Sequence, residues 1–376
     1  MKFVLAPDSF KESMTAKEAC DAMERAIKKV IKDAECIKVP MADGGEGTTT
    51  SLVEGSNGKL FTTEVTGPLG NKVEAVYGIM GDNETGIIEM AMASGIQLIR
   101  REERNPLIAT TYGTGELIKA LLDKGVKHIL LGIGGSATND GGAGMVQALG
   151  GRLLDKEGNE VKFGGGYLNE IEKIDLSDLD SRLKDVKIEV ACDVTNPFIG
   201  EKGASAVFGP QKGADEEMVK LLDKNLAHFA DVIKRDLGKD IAQVQGAGAA
   251  GGLGGALLAF LDAELKRGIE MVIDHTNLRE KVQGADFVFT GEGSIDGQTL
   301  FGKTPIGVAK TAKTAGAKVI AFAGRVADDA DTLYDGGIDS IFSILNEVVS
   351  LDKALEGAVH NLEKTVENVI RVLAFK

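Results

Sequence analysis

Short apolar runs alternate with amphipathic segments at both ends of the chain. Residues 2–6 (KFVLA) and 35–39 (ECIKV) predict two buried strands, and the helix between them begins at a Thr15–Glu18 capping box. After residue 285 the same alternation returns and predicts three further strands, at 285–290, 317–323 and 339–344. Five strands separated by helices are typical of a parallel flavodoxin-like sheet with strand order 2-1-3-4-5.

The middle of the chain follows a different pattern. Residues 61–66, 72–80 and 85–90 are strand-like segments separated by very short turns, which predicts an antiparallel meander. Further strands are expected at 127–133 and 186–192, with helices between them. We therefore expect an α/β protein in which a second α/β domain with a mixed sheet is inserted into the first. The predicted boundaries are 1–58 with 281–376 for the flavodoxin-like domain and 59–280 for the inserted domain.

Length and charge narrow the possible classes of function. A chain of 376 residues suits two to three domains. The net charge of −14 without a basic cluster argues against nucleic acid and anionic membrane surfaces as partners. No apolar run approaches the ~18 residues of a membrane span, and the N-terminal run is too short for a signal-peptide core. Together with three scattered cysteines, this predicts a cytoplasmic protein.

Glycine is unusually frequent, with 49 in 376 residues against an ordinary ~7%. The glycines concentrate near acidic residues that follow predicted strands, at the edge where open α/β sheets place their sites. Each segment alone is ordinary turn chemistry, but together they supply the N–H groups, carboxylates and lysine that phosphoryl transfer needs. The five segments are Asp8–Lys11, Asp43–Thr48, Gly134–Gly142, Asp193–Pro197 and Gly291–Asp296.

Two familiar motifs do not fit their usual context. Residues 246–251 (GAGAAG) match the dinucleotide fingerprint, but the preceding residues are polar, which favours a closely packed Gly/Ala-rich helix start. Residues 297–304 (GQTLFGKT) match the Walker A pattern, but six residues separate them from the predicted strand end at Thr290. With only 72 residues left after Thr304, a P-loop fold is not expected. Lys303 is still expected to contact a phosphate, because it precedes a helix with Thr304 as its predicted cap.

Five segments resemble the bacterial glycerate kinase family along nearly the whole chain. They are APDSFKES (6–13), VPMADGGEGT (39–48), GIGGSATNDGGAG (132–144), CDVTNP (192–197) and GEGSIDGQTLFGK (291–303). The resemblance implies ATP- and Mg²⁺-dependent phosphorylation of D-glycerate by a flavodoxin-like domain and an inserted α/β domain, with the active-site cleft between them. It also implies that no Walker A loop is used. We expect 2-phospho-D-glycerate as the product, with the 3-phosphate as the alternative.

The chemistry of these segments suggests candidate roles. Asp193 is the predicted base for the acceptor hydroxyl, and Lys303 is predicted to stabilise charge on the transferred phosphoryl group. The candidate Mg²⁺ ligands are Asp43, Glu46 and Asp296. The candidates for binding substrate or phosphate are Asp8, Ser9, Lys11, Gly134, Gly135, Ser136, Asn139, Asp140, Glu292 and Ser294.

Two other classes of function stay open on the sequence alone. A dinucleotide-dependent oxidoreductase would use residues 246–251 and would bind NAD. A sensor of sugar acids or nucleotides would keep the binding sites without turnover. For the kinase, the expected partners are D-glycerate and a nucleotide, and a homodimer is one assembly that the sequence leaves open.

Overall fold

In the computed structural model, which describes residues 1–375, the chain forms two units, each with its own sheet and core. The first unit comprises Met1–Asp43, Thr50–Asn57 and the chain from Ile269 onward. The second comprises Gly44–Thr49 and Gly58–Gly268. Among the described residues, none of the helices is both long enough and apolar enough to cross a bilayer.

The strands, in chain order, are β1 (Lys2–Leu5), β2 (Glu35–Lys38), β3 (Lys59–Thr66), β4 (Lys72–Ile79), β5 (Thr85–Glu89), β6 (His128–Gly132), β7 (Arg152–Leu154), β8 (Lys173–Asp175), β9 (Lys187–Ala191), β10 (Glu264–Lys266), β11 (Phe287–Ile295), β12 (Lys318–Val326) and β13 (Ser340–Ser343). The α-helices are α1 (Ala16–Val30), α2 (Thr48–Gly55), α3 (Ala91–Ser94), α4 (Tyr112–Asp123), α5 (Ala143–Ala148), α6 (Ala204–Phe208), α7 (Glu216–Leu237), α8 (Leu253–Leu261), α9 (Gly268–His275), α10 (Leu278–Lys281), α11 (Thr304–Thr314), α12 (Thr332–Asp335), α13 (Leu351–Glu356) and α14 (Ala358–Leu373).

The sheet of the first unit is parallel throughout and has the order β2-β1-β11-β12-β13. This is the predicted flavodoxin-like order 2-1-3-4-5, with the first and third strands side by side at the switch point. Its core contains Phe3, Phe289 and Phe322, which are fully buried and whose neighbouring rings meet edge to face. The predicted capping box of α1 is present, with Thr15 and Glu18 each bonding the other's backbone N–H.

The prediction of a loop at Gly291–Asp296 is wrong over most of its length, because β11 continues to Ile295. This extension pairs with an equally extended β12, from Gly291 opposite Phe322 to Ile295 opposite Val326. A β-carbon on Gly291 would lie 2.1 Å from the Phe322 carbonyl oxygen, so only glycine allows this approach. The small residues of this segment are typical of a turn, but here they allow β11 and β12 to pair closely.

This extension also overturns the spacing argument about residues 297–304. Only Asp296 separates the strand from Gly297, not six residues. Residues Gly297–Phe301 form a 3₁₀ turn, and the helix cap is Lys303, one residue before the predicted Thr304.

The sheet of the second unit has the order β3-β4-β5-β6-β9-β10. β3, β4 and β5 are antiparallel neighbours, as the predicted meander requires, and β5, β6, β9 and β10 are parallel. The carboxyl ends of β5, β6 and β9 therefore lie at the same edge of the sheet. β7 and β8 form a separate antiparallel pair.

Residues 246–251 do not begin a helix, because α8 starts only at Leu253. Ala250 and Gly251 adopt left-handed backbone angles in a short 3₁₀ segment. The expected close packing is present: a β-carbon on Gly248 or Gly251 would lie within 2.1 Å of the Pro197 or Thr138 carbonyl oxygen, respectively. The segment follows no strand, so its context is not that of a dinucleotide fingerprint.

Candidate functional site

Acidic side chains meet at the switch point of the first unit. Asp8 follows β1, and its backbone N–H donates to the Gly291 carbonyl at 2.8 Å on the neighbouring β11. The Asp8 carboxylate accepts hydrogen bonds from the Ser9 backbone N–H at 2.6 Å and from the Thr304 hydroxyl at 2.5 Å. Asp8 is therefore buried and held in one orientation by the start of α11.

The electrostatics of this cluster favour protonated carboxyl groups. Burial, with Asp43 as a further negative charge, raises the pKa of Asp8 to about 6. Burial also raises the pKa of Glu292 to about 7, although Lys303 lies 3.7 Å from its Oε1 and opposes this change. The negative charges of Asp8 and Asp43 raise the Glu292 pKa further. A bound cation would relieve this repulsion, and clusters of this kind are frequent at functional sites.

We expect Glu292→Gln to raise the thermal unfolding midpoint at pH 8. The same variant should impair the binding of substrate or phosphate, for which Glu292 is a candidate. The carboxyl pKa is 4.5 in its ordinary state and about 7 here. The folded chain therefore holds a proton that the unfolded chain releases, and stability falls as pH rises through this window. A gain of about 1 kcal/mol corresponds to roughly 2–4 °C for a domain of this size.

Differential scanning calorimetry of both proteins at pH 5 and pH 8 measures this effect. The gain should shrink at pH 5, where the wild-type carboxyl group is protonated in the folded chain. The exposed Glu280 supplies the control variant Glu280→Gln, which should change neither midpoint. An equal shift at both pH values would contradict the electrostatic explanation.

Cationic side chains lie at the same end of this sheet. Lys303 caps α11 and Lys11 is exposed on the loop after β1. Arg325, at the end of β12, donates from Nη1 to the Ser294 hydroxyl at 3.2 Å. The Asp296 carboxylate instead caps the 3₁₀ turn after β11, where it accepts from the Gln298 N–H at 3.0 Å. The first unit therefore holds carboxylates and cations together at one end of its sheet.

The loop after β6 presents unpartnered backbone donors in the second unit. Among residues 1–375, the N–H groups of Gly134, Gly135 and Ser136 donate to no acceptor. Gly134 and Gly135 are exposed, and a β-carbon on Gly134 would meet nothing within 4 Å. Gly135 has a φ of +71°, a conformation that glycine adopts without strain. Consecutive free N–H groups of this kind form a concave anion-binding surface.

Asp140 and Asn139 hold this loop from inside. The Asp140 carboxylate is fully buried and accepts from the Thr111 N–H and hydroxyl and from the N–H groups of Gly142 and Gly144. Asn139 is also fully buried and donates to the Ser205 hydroxyl at 2.9 Å. Burial raises the pKa of Asp140, and these donors oppose the change. The side chains of Asn139 and Asp140 therefore shape the loop from inside, while Gly134 and Gly135 stay exposed at its surface.

Asp193 follows β9, next to the loop after β6, because Gly132 and Ala191 are paired. Asp193 is exposed, and its Oδ1 accepts a hydrogen bond from the Gly268 N–H at 3.1 Å. The segment from Gly44 crosses the same edge: a β-carbon on Gly44 would lie 2.6 Å from that of Ala191.

Glu46 is exposed on this crossing segment. The segment is fixed by Glu89, at the end of β5, whose carboxylate accepts from the N–H groups of Gly47 at 3.2 Å and Thr49 at 2.8 Å. Of the three candidate Mg²⁺ ligands, Asp43 and Asp296 belong to the first unit and Glu46 to the second.

Four residues at these sites escaped sequence reasoning: Thr304 as a partner of Asp8, and Glu89, Lys212 and Arg325. Glu89 ends a predicted strand, which is the same signal that identified Asp8 and Asp193. For Thr304 the sequence predicts only a helix cap. Nothing in the local sequence marks Lys212, which is buried beneath the loop after β6.

Comparison with known proteins shows the family of the chain. The model of the glycerate kinase family matches residues 3–374. The chain is 56% identical to the glycerate kinase of Haemophilus influenzae, over the full length of both chains. It is 53% identical to the glycerate 2-kinase of Escherichia coli, covering 100% of this chain and 98% of the relative. A Salmonella typhimurium LT2 protein described as glycerate kinase 2 has a crystal structure that superimposes with a TM-score of 0.92. That structure shares 51% identity and covers 99% of this chain and 98% of its own. The chain belongs to the glycerate kinase family.

Proposed function

We propose that this chain transfers the γ-phosphoryl group of Mg·ATP to the 2-hydroxyl of D-glycerate, which gives 2-phospho-D-glycerate and ADP. The observation that carries the proposal is the full-length match to a relative named glycerate 2-kinase. The geometry supports it, because both units place phosphate-compatible chemistry at the carboxyl ends of their strands.

The oxygen-rich cluster of the first unit has the donor chemistry that Mg²⁺ prefers. Asp43 lies close enough to Asp8 and Glu292 to raise the pKa of both. Hard carboxylate oxygens, without cysteine or histidine, suit Mg²⁺ and not a softer metal. We assign Asp43 as the principal ligand of this cluster, with Asp296 as the further candidate from the same unit. When bound, Mg²⁺ would neutralise negative charge on the phosphates.

The cations of the first unit suit the nucleotide phosphates. Lys303 stands at the N-terminus of α11, where backbone N–H groups and the helix dipole add to its charge. Lys11 lies beside Gly293, whose added β-carbon would be 3.6 Å from the Lys11 backbone nitrogen. Lys303 would stabilise the charge that develops on the phosphoryl oxygens during transfer.

The second unit suits the acceptor. The N–H groups of Gly134, Gly135 and Ser136 would bind the carboxylate of glycerate. Asp193, on the neighbouring strand end, would take the proton of the 2-hydroxyl as that oxygen attacks phosphorus. The bond between phosphorus and the β,γ-bridging oxygen then breaks, and ADP leaves with that electron pair.

Phosphorus NMR of a reaction with Mg·ATP and D-glycerate tests the proposal directly. We expect a new phosphate resonance split into a doublet by the single proton on C2. A triplet from the two C3 protons would keep the kinase and assign the 3-phosphate. No ATP consumption above a glycerate-free control would contradict the proposed activity, and omission of Mg²⁺ should abolish it.

A further inference from the structure

Lys212 is a buried cation directly beneath the loop after β6. Its side chain is 1% exposed, although lysine is rarely buried in folded proteins. Its Nζ donates to the Thr138 backbone carbonyl at 2.6 Å. Hydrogen bonds from a charged donor of this length are among the stronger ones in proteins. Lys212 therefore has a defined target in the loop.

The backbone of Lys212 is fixed by its neighbours. It ends the 3₁₀ turn Pro210–Lys212, and the Gln211 carbonyl accepts from Nη1 of Arg104 at 3.2 Å. Gly213 follows with a φ of +97°, and its added β-carbon would lie 2.4 Å from the Arg104 carbonyl oxygen. The turn is therefore bonded to Arg104 and packed closely against its backbone, which fixes the position from which the Lys212 side chain approaches the loop.

The bond to Lys212 sets the direction of a loop peptide. In a trans peptide the carbonyl and the following N–H point to opposite sides. With the Thr138 carbonyl turned toward Lys212, the Asn139 N–H points away from it. The Asn139 side chain is tied to Ser205, which belongs to the same 204–213 segment. Two hydrogen bonds to the 204–213 segment therefore fix residues 138–139 on the side that faces this segment.

We propose that Lys212 is a positioning residue that holds the loop after β6 in the conformation whose N–H groups bind the carboxylate of D-glycerate. This inference rests on the proposed function. Burial favours the neutral form of Lys212 and lowers its pKa to about 7. The negative charge of the buried Asp140 opposes this change, because it favours the protonated lysine. Lys212 and Asp140 therefore interact electrostatically behind the loop that is proposed to bind the carboxylate.

Steady-state kinetics of Lys212→Met tests the proposal, because methionine keeps the length of the side chain and removes the donor. We expect the KM for D-glycerate to rise by about 10- to 100-fold, since a buried carbonyl loses its partner and the loop loses its conformation. The KM for ATP should stay unchanged, and kcat should fall by less than about threefold. Lys212→Arg should recover part of the lost affinity.

Lys281 provides the matched control. It is a partly buried lysine of the first unit, and burial lowers its pKa too. Lys281→Met should leave both KM values unchanged. If Lys212→Met lowers the thermal midpoint but leaves the KM for D-glycerate at the wild-type value, Lys212 is only structural and the proposal is overturned.

A second variant covers the case in which Lys212→Met does not fold. Ser205→Ala removes the bond to Asn139, the other bond from the same segment, and should raise the KM for D-glycerate by about three- to tenfold. An unchanged KM in this variant would then overturn the proposal. Wild-type protein without glycerate-dependent turnover would contradict the proposed function itself, which separates the two failures.

Discussion

Asp193→Asn is expected to lower kcat for D-glycerate phosphorylation by about 10²- to 10⁴-fold. The substitution keeps the size of the side chain and its acceptor oxygen for the Gly268 N–H, but the amide cannot take a proton. The KM for both substrates should stay within about threefold of the wild-type value, because the lost interaction forms in the transition state.

The matched control lies at the other end of the same strand. Asp185 is exposed and precedes β9 at its amino end, whereas Asp193 follows β9 at its carboxyl end. Asp185→Asn should keep full activity. Initial rates at saturating substrate measure both variants, and near-normal turnover in Asp193→Asn would remove Asp193 from the role of base.

The parallel sheet of the first unit was predictable because its strands and helices alternate at short range. Strands such as KFVLA near the N-terminus are buried on both faces, so their apolar residues follow one another without alternating polar positions. Their order then follows from general connection rules and not from any particular contact. The same logic placed Asp8 and Asp193 at strand ends.

The end of β11 was not predictable in the same way. Gly291 and Gly293 are turn residues by composition, and nothing local shows that they pair with a distant strand. The pairing exists because β12 is extended by the same amount, 31 residues further along the chain from Ser294 to Arg325. Propensity describes single residues, whereas a ladder depends on two segments.

Burial of the polar loop residues depended on long-range contacts as well. Asp8 and Asp140 both follow predicted strands beside small residues, yet their surroundings differ. Asp140 is enclosed by donors that include Thr111, 29 residues earlier, whereas Asp8 shares its site with other carboxylates. Lys212 lies in a Pro-Gln-Lys-Gly sequence that is typical of an exposed turn. Its burial follows only from the tertiary position of Thr138.

Lys303→Met should be the most damaging substitution in the first unit, with kcat reduced by about 10²- to 10³-fold. Lys303 combines three properties that no other described lysine of this unit shares: it caps a helix, borders the acidic cluster and lies 3.7 Å from Glu292. Its loss removes the charge that is proposed to stabilise the transferred phosphoryl group. It also removes the cation that holds the Glu292 pKa down, so Glu292 would stay protonated to higher pH.

Lys310, two turns further along α11 and exposed, provides the control for this variant. Lys310→Met removes one positive charge from the same helix, so its net charge equals that of Lys303→Met. It leaves the acidic cluster unchanged, and its kcat should therefore equal that of the wild type. Lys303→Arg separates charge from position, because the guanidinium keeps the charge in a bulkier and planar group. We expect partial activity in Lys303→Arg. Wild-type kcat in Lys303→Met would show that the phosphoryl charge is stabilised elsewhere, and Lys11 and Arg325 would then be the remaining cations at this end of the sheet.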